Sequence, residues 1–396
     1  MSGLGMKTPW VSGEELDTYV KTTLPFYYND KPRFLDAFSD KALALALPVL
    51  IYWSASMFYH ALDVHRPAWS EKYRMHTPDE LKKKNRVSKE RVILMVILQH
   101  AIQTFLGIVI MYDTPANRFH RMDVNPEKDI ARILAWVRVL HDYVDIRDVV
   151  LVRAAIALYW WGIPWLQFWF ACFVMDAWEY LLHRTMHEVR FLYRMLHSHH
   201  HRLYVPYAFG ALYNHPLEGM LLDTFGAEIA RVVSFMTLRQ TIVFFTISTF
   251  KTVCDHCGYA FPWYYNPIQA LFPNNAEYHD VHHQSQGLRF NYSQPYFVHF
   301  DTIFGTRVDP ADFRDMLAKK GLKFEKAAAI KAEVDAQAAP DKTEPDLDDR
   351  SCIENARGPV AAPRPKLLSV YTTASIWSVF LFTGILVVPV LSYSMM

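Results

Sequence analysis

The chain reads as an all-α integral membrane protein with about four transmembrane helices, additional re-entrant or interfacial helices, and a cytosolic helical domain rich in histidine. Three observations predict this class. Residues 42–62, 92–112, 154–175 and 367–396 contain no Asp, Glu, Lys or Arg, and each stretch is long enough to cross a hydrocarbon core of roughly 30 Å as a helix of about 20 residues. The 396 residues are 52% hydrophobic and 15% aromatic with only 14 glycines, which points away from a pair of soluble domains. Six of the 18 histidines fall within HRTMHEVRFLYRMLHSHHH, residues 183–201, directly after the third charge-free stretch.

Each element follows in order. The opening MSGLGMKTPWVSGEELDTYV carries acids and lacks a basic region ahead of an apolar one, so residues 1–41 are expected to be a lumenal segment and not a cleaved signal, with 42–62 as the anchor. Residues 63–91 hold nine Lys or Arg against five acids, whereas 113–148 hold six against seven. The Lys/Arg bias places 63–91 in the cytosol. A solvated charged loop is sufficient to account for the basic run. Within the lumenal 113–148, Ile130, Leu134, Val137, Leu140 or His141, and Val144 recur at helical spacing, which predicts an amphipathic helix on the membrane surface. The stretch 154–175 then returns the chain to the cytosol, so region 176–318, with its histidines, faces that side. Residues 220–250 are apolar but broken by Asp223, Glu228, Arg231 and Arg239, which argues for a re-entrant or interfacial helix pair instead of a single span. From 319 to 366 the chain is charged and rich in Ala and Pro, a disordered linker to the last helix, 367–396.

Several function classes are disfavoured. A net charge of +1 argues against nucleic acid, and neither nucleotide-binding glycine pattern is present. Cysteine is limited to Cys172, Cys254, Cys257 and Cys352, and the single pair in Cys254-Asp-His-Cys257 reads as two packed, reduced thiols, with a zinc or redox role as the competing reading.

The histidines are patterned. His183 and His187 form an H-x-x-x-H, one helical turn apart on one face. His197, His200 and His201 form an H-x-x-H-H, as do His279, His282 and His283. Independent placement of 18 histidines gives such a box in roughly one chain in thirty of this length, so two of them beside an H-x-x-x-H are not accidental. Eight imidazoles exceed what one tetrahedral zinc takes and suit two metals of about four ligands each. Imidazole alone leaves iron, zinc, copper and nickel open. His215 in NHP and His256 in CDHC lie between the boxes, where they can complete the shells; His199 is expected to face away. His60, His65, His76, His100, His120, His141 and His299 stand alone and read as packed or surface residues. Ligating histidines usually donate their other N–H to a carboxylate or carbonyl. Asp176 and Glu179, seven and four residues before His183, are candidates for that role, and Asp255 and Asp280 are further ones, as are Glu218, Asp223 and Glu277, with solvated or capping roles competing.

The order H-x-x-x-H, H-x-x-H-H, NHP, H-x-x-H-H resembles the fatty acid hydroxylase/sterol desaturase superfamily of membrane di-iron enzymes. The flanking words SEKYRMH, LQHAIQT, DAWEYLLHRTMH, LHSHHHRLYVPYAFGALYNHPLEG, CDHCGYAFP and LFPNNAEYHDVHHQ resemble its fungal and plant sphingolipid C4-hydroxylases, over residues 40–310. The resemblance implies hydroxylation at C4 of the long-chain base of sphinganine or dihydroceramide at two irons, with O2 as co-substrate. It assigns as ligands His183, His187, His197, His200, His201, His279, His282 and His283, with His256 and His215 as additions. The extra histidine in HSHHH departs from the simple box and leaves open which of its members bind. No flavin, nicotinamide or HPGG haem motif is present, so the resemblance implies external electrons from cytochrome b5 and its NADH- or NADPH-dependent reductase, at the cytosolic face of the endoplasmic reticulum. The basic loop 63–91 is a candidate docking surface for an acidic partner. Sterol or sphingolipid desaturation and sterol methyl oxidation are the neighbouring alternatives, and a histidine-rich metal transporter is the non-enzyme one. Transport sites, however, usually lie near the bilayer midplane.

Overall fold

The computed structural model describes residues 13–28, 31, 33–112, 125–141 and 147–320. The expected linker beyond residue 320 and the helix 367–396 lie outside the described residues, as do His120 and Cys352. Among the described residues the protein is helical without β-strands, with only two isolated bridges, Leu35 to Phe38 and Arg74 to Tyr259.

Among the described residues, three helices are long and apolar enough to cross a membrane. The helix α1, Gly13–Thr22, precedes the first of them, α2, Asp40–His65, whose N-terminus is capped by Ser39 Oγ accepting from the Ala42 N–H at 3.1 Å. The second is α3, Lys89–Ile110. After α4, Pro126–His141, comes the third, α5, which runs unbroken over Asp148–Glu188 through a π turn at Leu158–Gly162. Its 41 residues reach roughly 60 Å at 1.5 Å per residue, about twice a hydrocarbon core. The charge-free part is 154–175, and His183 and His187 lie beyond it toward the C-terminal end of the helix. Leu50, Phe58, Leu94, Phe105, Trp161 and Trp165 are exposed on these three helices. Such surface is a liability in water and is what lipid requires.

Region 220–250 forms a helix pair, α6, Phe225–Val233, and α7, Leu238–Asp255. α6 packs on α5 and α7 lies along α2. Three of the four charges that interrupt its apolar sequence are paired, Arg231 with Glu228, and Arg239 with Asp40 at 3.0 Å, whereas Asp223 meets only Asn214 at 3.5 Å. The stripe on α4 departs from expectation. Ile130 and Leu134 are buried against Leu16 and Val20 of α1 and Val152, Ala155 and Trp160 of α5, so this face is at least partly a packing surface between helices and not wholly a lipid contact. A large core cluster joins Tyr52 and Tyr59 of α2, Val92 and Val96 of α3, Leu203, Tyr207 and Tyr213, and Cys254, Cys257, Tyr259 and Phe261, so it reaches the segments that carry the second box and His256. Three short helices close the described chain: α8, Ala276–His283, then His299–Phe304, and, after Gly305, α9, Pro310–Lys319.

Candidate metal centre

Nine histidines converge into two groups, in each of which the ring nitrogens lie within 4.8 Å of one another. Five rings, His183, His187, His197, His201 and His282, form one; His200, His256, His279 and His283 form the other. The groups abut, with the rings of His201 and His283 centred 5.1 Å apart.

Local structure explains the sorting. His183 and His187 are one turn apart on the C-terminal end of α5 and serve the five-histidine group. HSHHHR, 197–202, is a 3₁₀ helix. At three residues per turn positions i and i+3 eclipse, so His197 and His200 stack side by side, 5.7 Å apart, one in each group, and His201 rejoins His197. On α8, started by Asn275 Oδ1 accepting from the Tyr278 N–H, His279 and His283 share a face and serve the four-histidine group while His282 turns to the other. His256, at the C-terminal end of α7, completes the four.

The hydrogen bonds fix which nitrogen faces inward. A carbonyl oxygen only accepts, so each Nδ1 that meets one carries the proton. The Nδ1–H groups of His183, His200, His256, His282 and His283 donate to the carbonyls of Tyr292, Tyr213, Thr252, Phe290 and Leu203 at 2.7 to 3.2 Å. That of His197 donates to Glu218. The inward Nε2 atoms of neutral rings are therefore bare lone pairs, yet they face each other: His183 and His197 at 3.0 Å, His200 and His283 at 3.1 Å. His282 Nε2 is buried with no partner at all. Burial first, and repulsion from neighbouring rings second, push His200 down to about 4 and His256 to about 3, so protonation does not relieve this crowding near neutral pH. Converging lone pairs about 3 Å apart are the arrangement of nitrogens bound to a common cation at roughly 2.0–2.1 Å. The donor set fits two metal ions and does not by itself select the element.

Other predicted residues are placed differently. His215 joins neither group: its Nδ1 accepts from the Leu217 N–H, and its ring packs on His199, which also stays outside. Asp176 does not meet a ring; it accepts the N–H groups of Tyr296 and Phe297 at 2.9 and 2.6 Å, which anchors the loop whose Tyr292 carbonyl orients His183. Asp255 is bound by the fully buried Lys251 at 2.5 and 2.6 Å, and Asp280 by His76 at 2.8 Å. Glu179 lines a small polar cavity of ≈ 30 Å³ beside the rings and holds no ring N–H. Main-chain carbonyls, not carboxylates, do most of the orienting, because backbone leaving the short helices passes directly behind the rings. Sequence reasoning also missed Asp301, which accepts from the Tyr292 and Ser293 N–H groups and the Tyr278 hydroxyl at 2.8 to 2.9 Å and so ties this loop to α8. Cys254 and Cys257 are free, buried and outside both metal groups.

His76, read as an isolated residue, bridges the basic loop to the third box: its Nε2 meets Asp280 and its Nδ1 meets Glu80 at 3.3 Å. Burial opposes a charged ring here, but the two carboxylates outweigh it and hold His76 at about 9. A raised folded-state value stabilises fully below the ordinary histidine value of about 6.5 and is lost as pH rises through about 9, a contribution of roughly 3 kcal/mol. Thermal unfolding of the wild type and His76→Gln should therefore differ most at and below pH 6.5 and converge by pH 10. A constant difference across that window would show that the ring is not charged.

The family model for fatty acid hydroxylase matches residues 168–306. The chain is 42% identical to the sphingolipid C4-hydroxylase of Saccharomyces cerevisiae, covering 70% of this chain and 74% of that one. It is 40% identical to sphinganine C4-monooxygenase 1 of Arabidopsis thaliana, covering 68% and 88%. A protein of Oryza sativa subsp. indica named very-long-chain aldehyde decarbonylase is 41% identical, covering 68% and 90%. No solved structure matches the chain.

Proposed function

The chain belongs to the sphingolipid C4-hydroxylases of the fatty acid hydroxylase family, which are oxidoreductases, and from that membership we propose that it hydroxylates C4 of a sphingoid long-chain base at two irons. The observation that carries this reading is the pair of abutting, all-imidazole groups with inward-facing bare nitrogens. His183, His187, His197, His201 and His282 would hold one iron and His200, His256, His279 and His283 the other. The chemistry such a pair supplies when bound is activation of dioxygen to break an unactivated C–H bond, which is beyond any side-chain acid or base. The balance is substrate C–H, O2, two electrons and two protons giving C–OH and water. Carbonyls behind the rings hold the tautomers in place, Glu218 fixes His197, and the buried walls of the cavity limit access of water.

The electrons would come from a separate donor of the cytochrome b5 kind, reduced by an NAD(P)H-dependent reductase. The reading places the active site on the cytosolic face of the endoplasmic reticulum membrane, in keeping with the Lys/Arg excess of 63–91 and the position of His183 and His187 past the charge-free part of α5. Parts of 63–91 are committed to structure: the Met75 N–H donates to the Gly258 carbonyl at 2.9 Å and His76 holds Asp280, while exposed Lys72, Lys82, Lys83, Lys84, Arg86 and Arg91, of which Lys83 and Lys84 pair with Asp79 and Glu80, would form the surface for an acidic partner. The domain reading stands with it, 176–318 being the catalytic region.

The relatives are enzymes, which removes the ground for a metal transporter. The rice relative's name points to a different reaction on a long-chain aldehyde, and sterol or sphingolipid desaturation remains the neighbouring chemistry. Product analysis separates them all. Cells lacking C4-hydroxylated sphingolipids and given this chain should accumulate long-chain bases with one added oxygen at C4. The purified protein should carry two irons per chain and lose turnover when zinc replaces them. A new double bond, a shortened alkane or an altered sterol in place of that product would overturn the reading.

A further inference from the structure

The polar cavity beside the rings is acidic. His197, His200, His256 and His279 form one wall; Glu179, Glu218, Asp223 and Asp255 also line it, and no Lys or Arg does. Asp255 is neutralised by Lys251. Glu218 gives one oxygen to His197, while its other oxygen is fully buried and has no hydrogen-bond partner. Asp223 has a single distant contact, Asn214 Nδ2 at 3.5 Å. A carboxylate facing an internal cavity with so little compensation is costly unless something positive joins it.

Asp223 and Thr252 also line a second, mostly apolar groove of ≈ 140 Å³, which runs between α2 and α3 past Leu45, Pro48, Gly107 and Met111. Gly107 permits the close approach of these helices, since a Cβ there would fall 2.3 Å from Leu45 Cδ2. The groove is not wholly apolar: the Nδ1 of His100, a residue 8% exposed, and the Thr224 hydroxyl are buried on its walls without partners. Asp223 and Thr252 line both spaces, so the apolar groove meets the imidazole-walled cavity at these residues.

A free long-chain base carries an alkyl chain, then C4, then an ammonium on C2. Two C–C bonds separate C2 from C4, about 2.5 Å, so a base with C4 against the imidazole wall places its ammonium in the same cavity. We propose that Asp223, with Glu179 and Asn214 beside it, binds the C2 ammonium of a free long-chain base whose alkyl chain lies in the α2–α3 groove, an inference that rests on the C4-hydroxylase reading. An N-acylated base has a neutral amide at that position and lacks the charge that these carboxylates complement.

The test uses the purified, metal-loaded full chain with octadecylamine and octadecanol as probes, alike in chain length and different in head charge. Octadecylamine should bind and inhibit more tightly than octadecanol. Asp223→Asn should abolish that difference and raise the KM for sphinganine about 10- to 100-fold, the usual worth of a hydrogen bond to a charged group, with kcat and metal content little changed and the KM for N-acetylsphinganine unaffected. Glu179→Gln should shift in the same direction and serves if Asp223→Asn does not fold. Equal binding of the two probes by the wild type overturns the inference, as does an unchanged KM in the variants or loss of metal from Asp223→Asn, which would assign the carboxylate to the metal groups. Probe binding at equilibrium is read apart from turnover. A chain that makes no C4-hydroxylated product fails the functional reading, whereas product without amine preference fails this inference alone.

Discussion

Replacing His279 with alanine is expected to cost more metal and more activity than replacing His187, although each removes one imidazole. The four-histidine group has no spare ring, so His279→Ala leaves three nitrogens for an ion; His187→Ala leaves four of five. Loss of a ligand or its support typically costs 10–100-fold in metal affinity or activity. His187→Ala should fall within that range, and His279→Ala at its upper end or beyond, with bound metal dropping toward one per chain. His215→Ala is the control, because that ring stays outside both groups and only accepts from the Leu217 N–H. Metal content and C4-hydroxylated product per unit of membrane protein, measured for the three variants, check the order. Near wild-type activity in His279→Ala would break the assignment of the four-histidine group.

Lys251→Met should be strongly destabilising. Lys251 is fully buried on α7, and its ammonium donates to both oxygens of Asp255 and to the Asn274 carbonyl at 2.9 Å. Removing one partner of a buried ion pair leaves the other charge uncompensated, at about 3–5 kcal/mol. Replacing both with apolar or neutral groups is often close to neutral. The melting temperature of Lys251→Met should therefore fall sharply, and the double variant Lys251→Met/Asp255→Asn should recover much of the loss. Asp255 immediately precedes His256, so metal content of the four-histidine group should follow the same order. A single variant as stable as the double would mean that the pair is not coupled.

Much of the fold was legible because its signals are local. A charge-free run of about 20 residues has few fates besides crossing a bilayer, and α2, α3 and α5 each contain one of the three runs that fall within the described residues. Helical spacing likewise placed His183 and His187 on one face and marked the boxes. The apolar stripe on α4 was equally visible, but what covers it was not, since Leu16 and Trp160 approach Ile130 only through the fold.

The sequence by itself determined that this protein is helical and membrane-bound and that eight of its histidines, in three boxes, belong together, since these follow from composition and from spacings of three and four residues; the structure added His256 and left His215 out. Only the tertiary structure decided how the nine divide, because the 3₁₀ turn at His197–Arg202 and the angle between His282 and His283 on α8 send neighbours to different groups. It also decided what orients them. Main-chain carbonyls at Tyr213, Tyr292 and Leu203 hold the rings, and every residue has such a carbonyl, so no side-chain pattern marks it. Asp176, Asp255 and Asp280 lie within a few residues of the ligands in sequence, yet they bind Tyr296, Lys251 and His76, because a buried carboxylate takes the nearest donor in space and chain proximity does not set which donor that is.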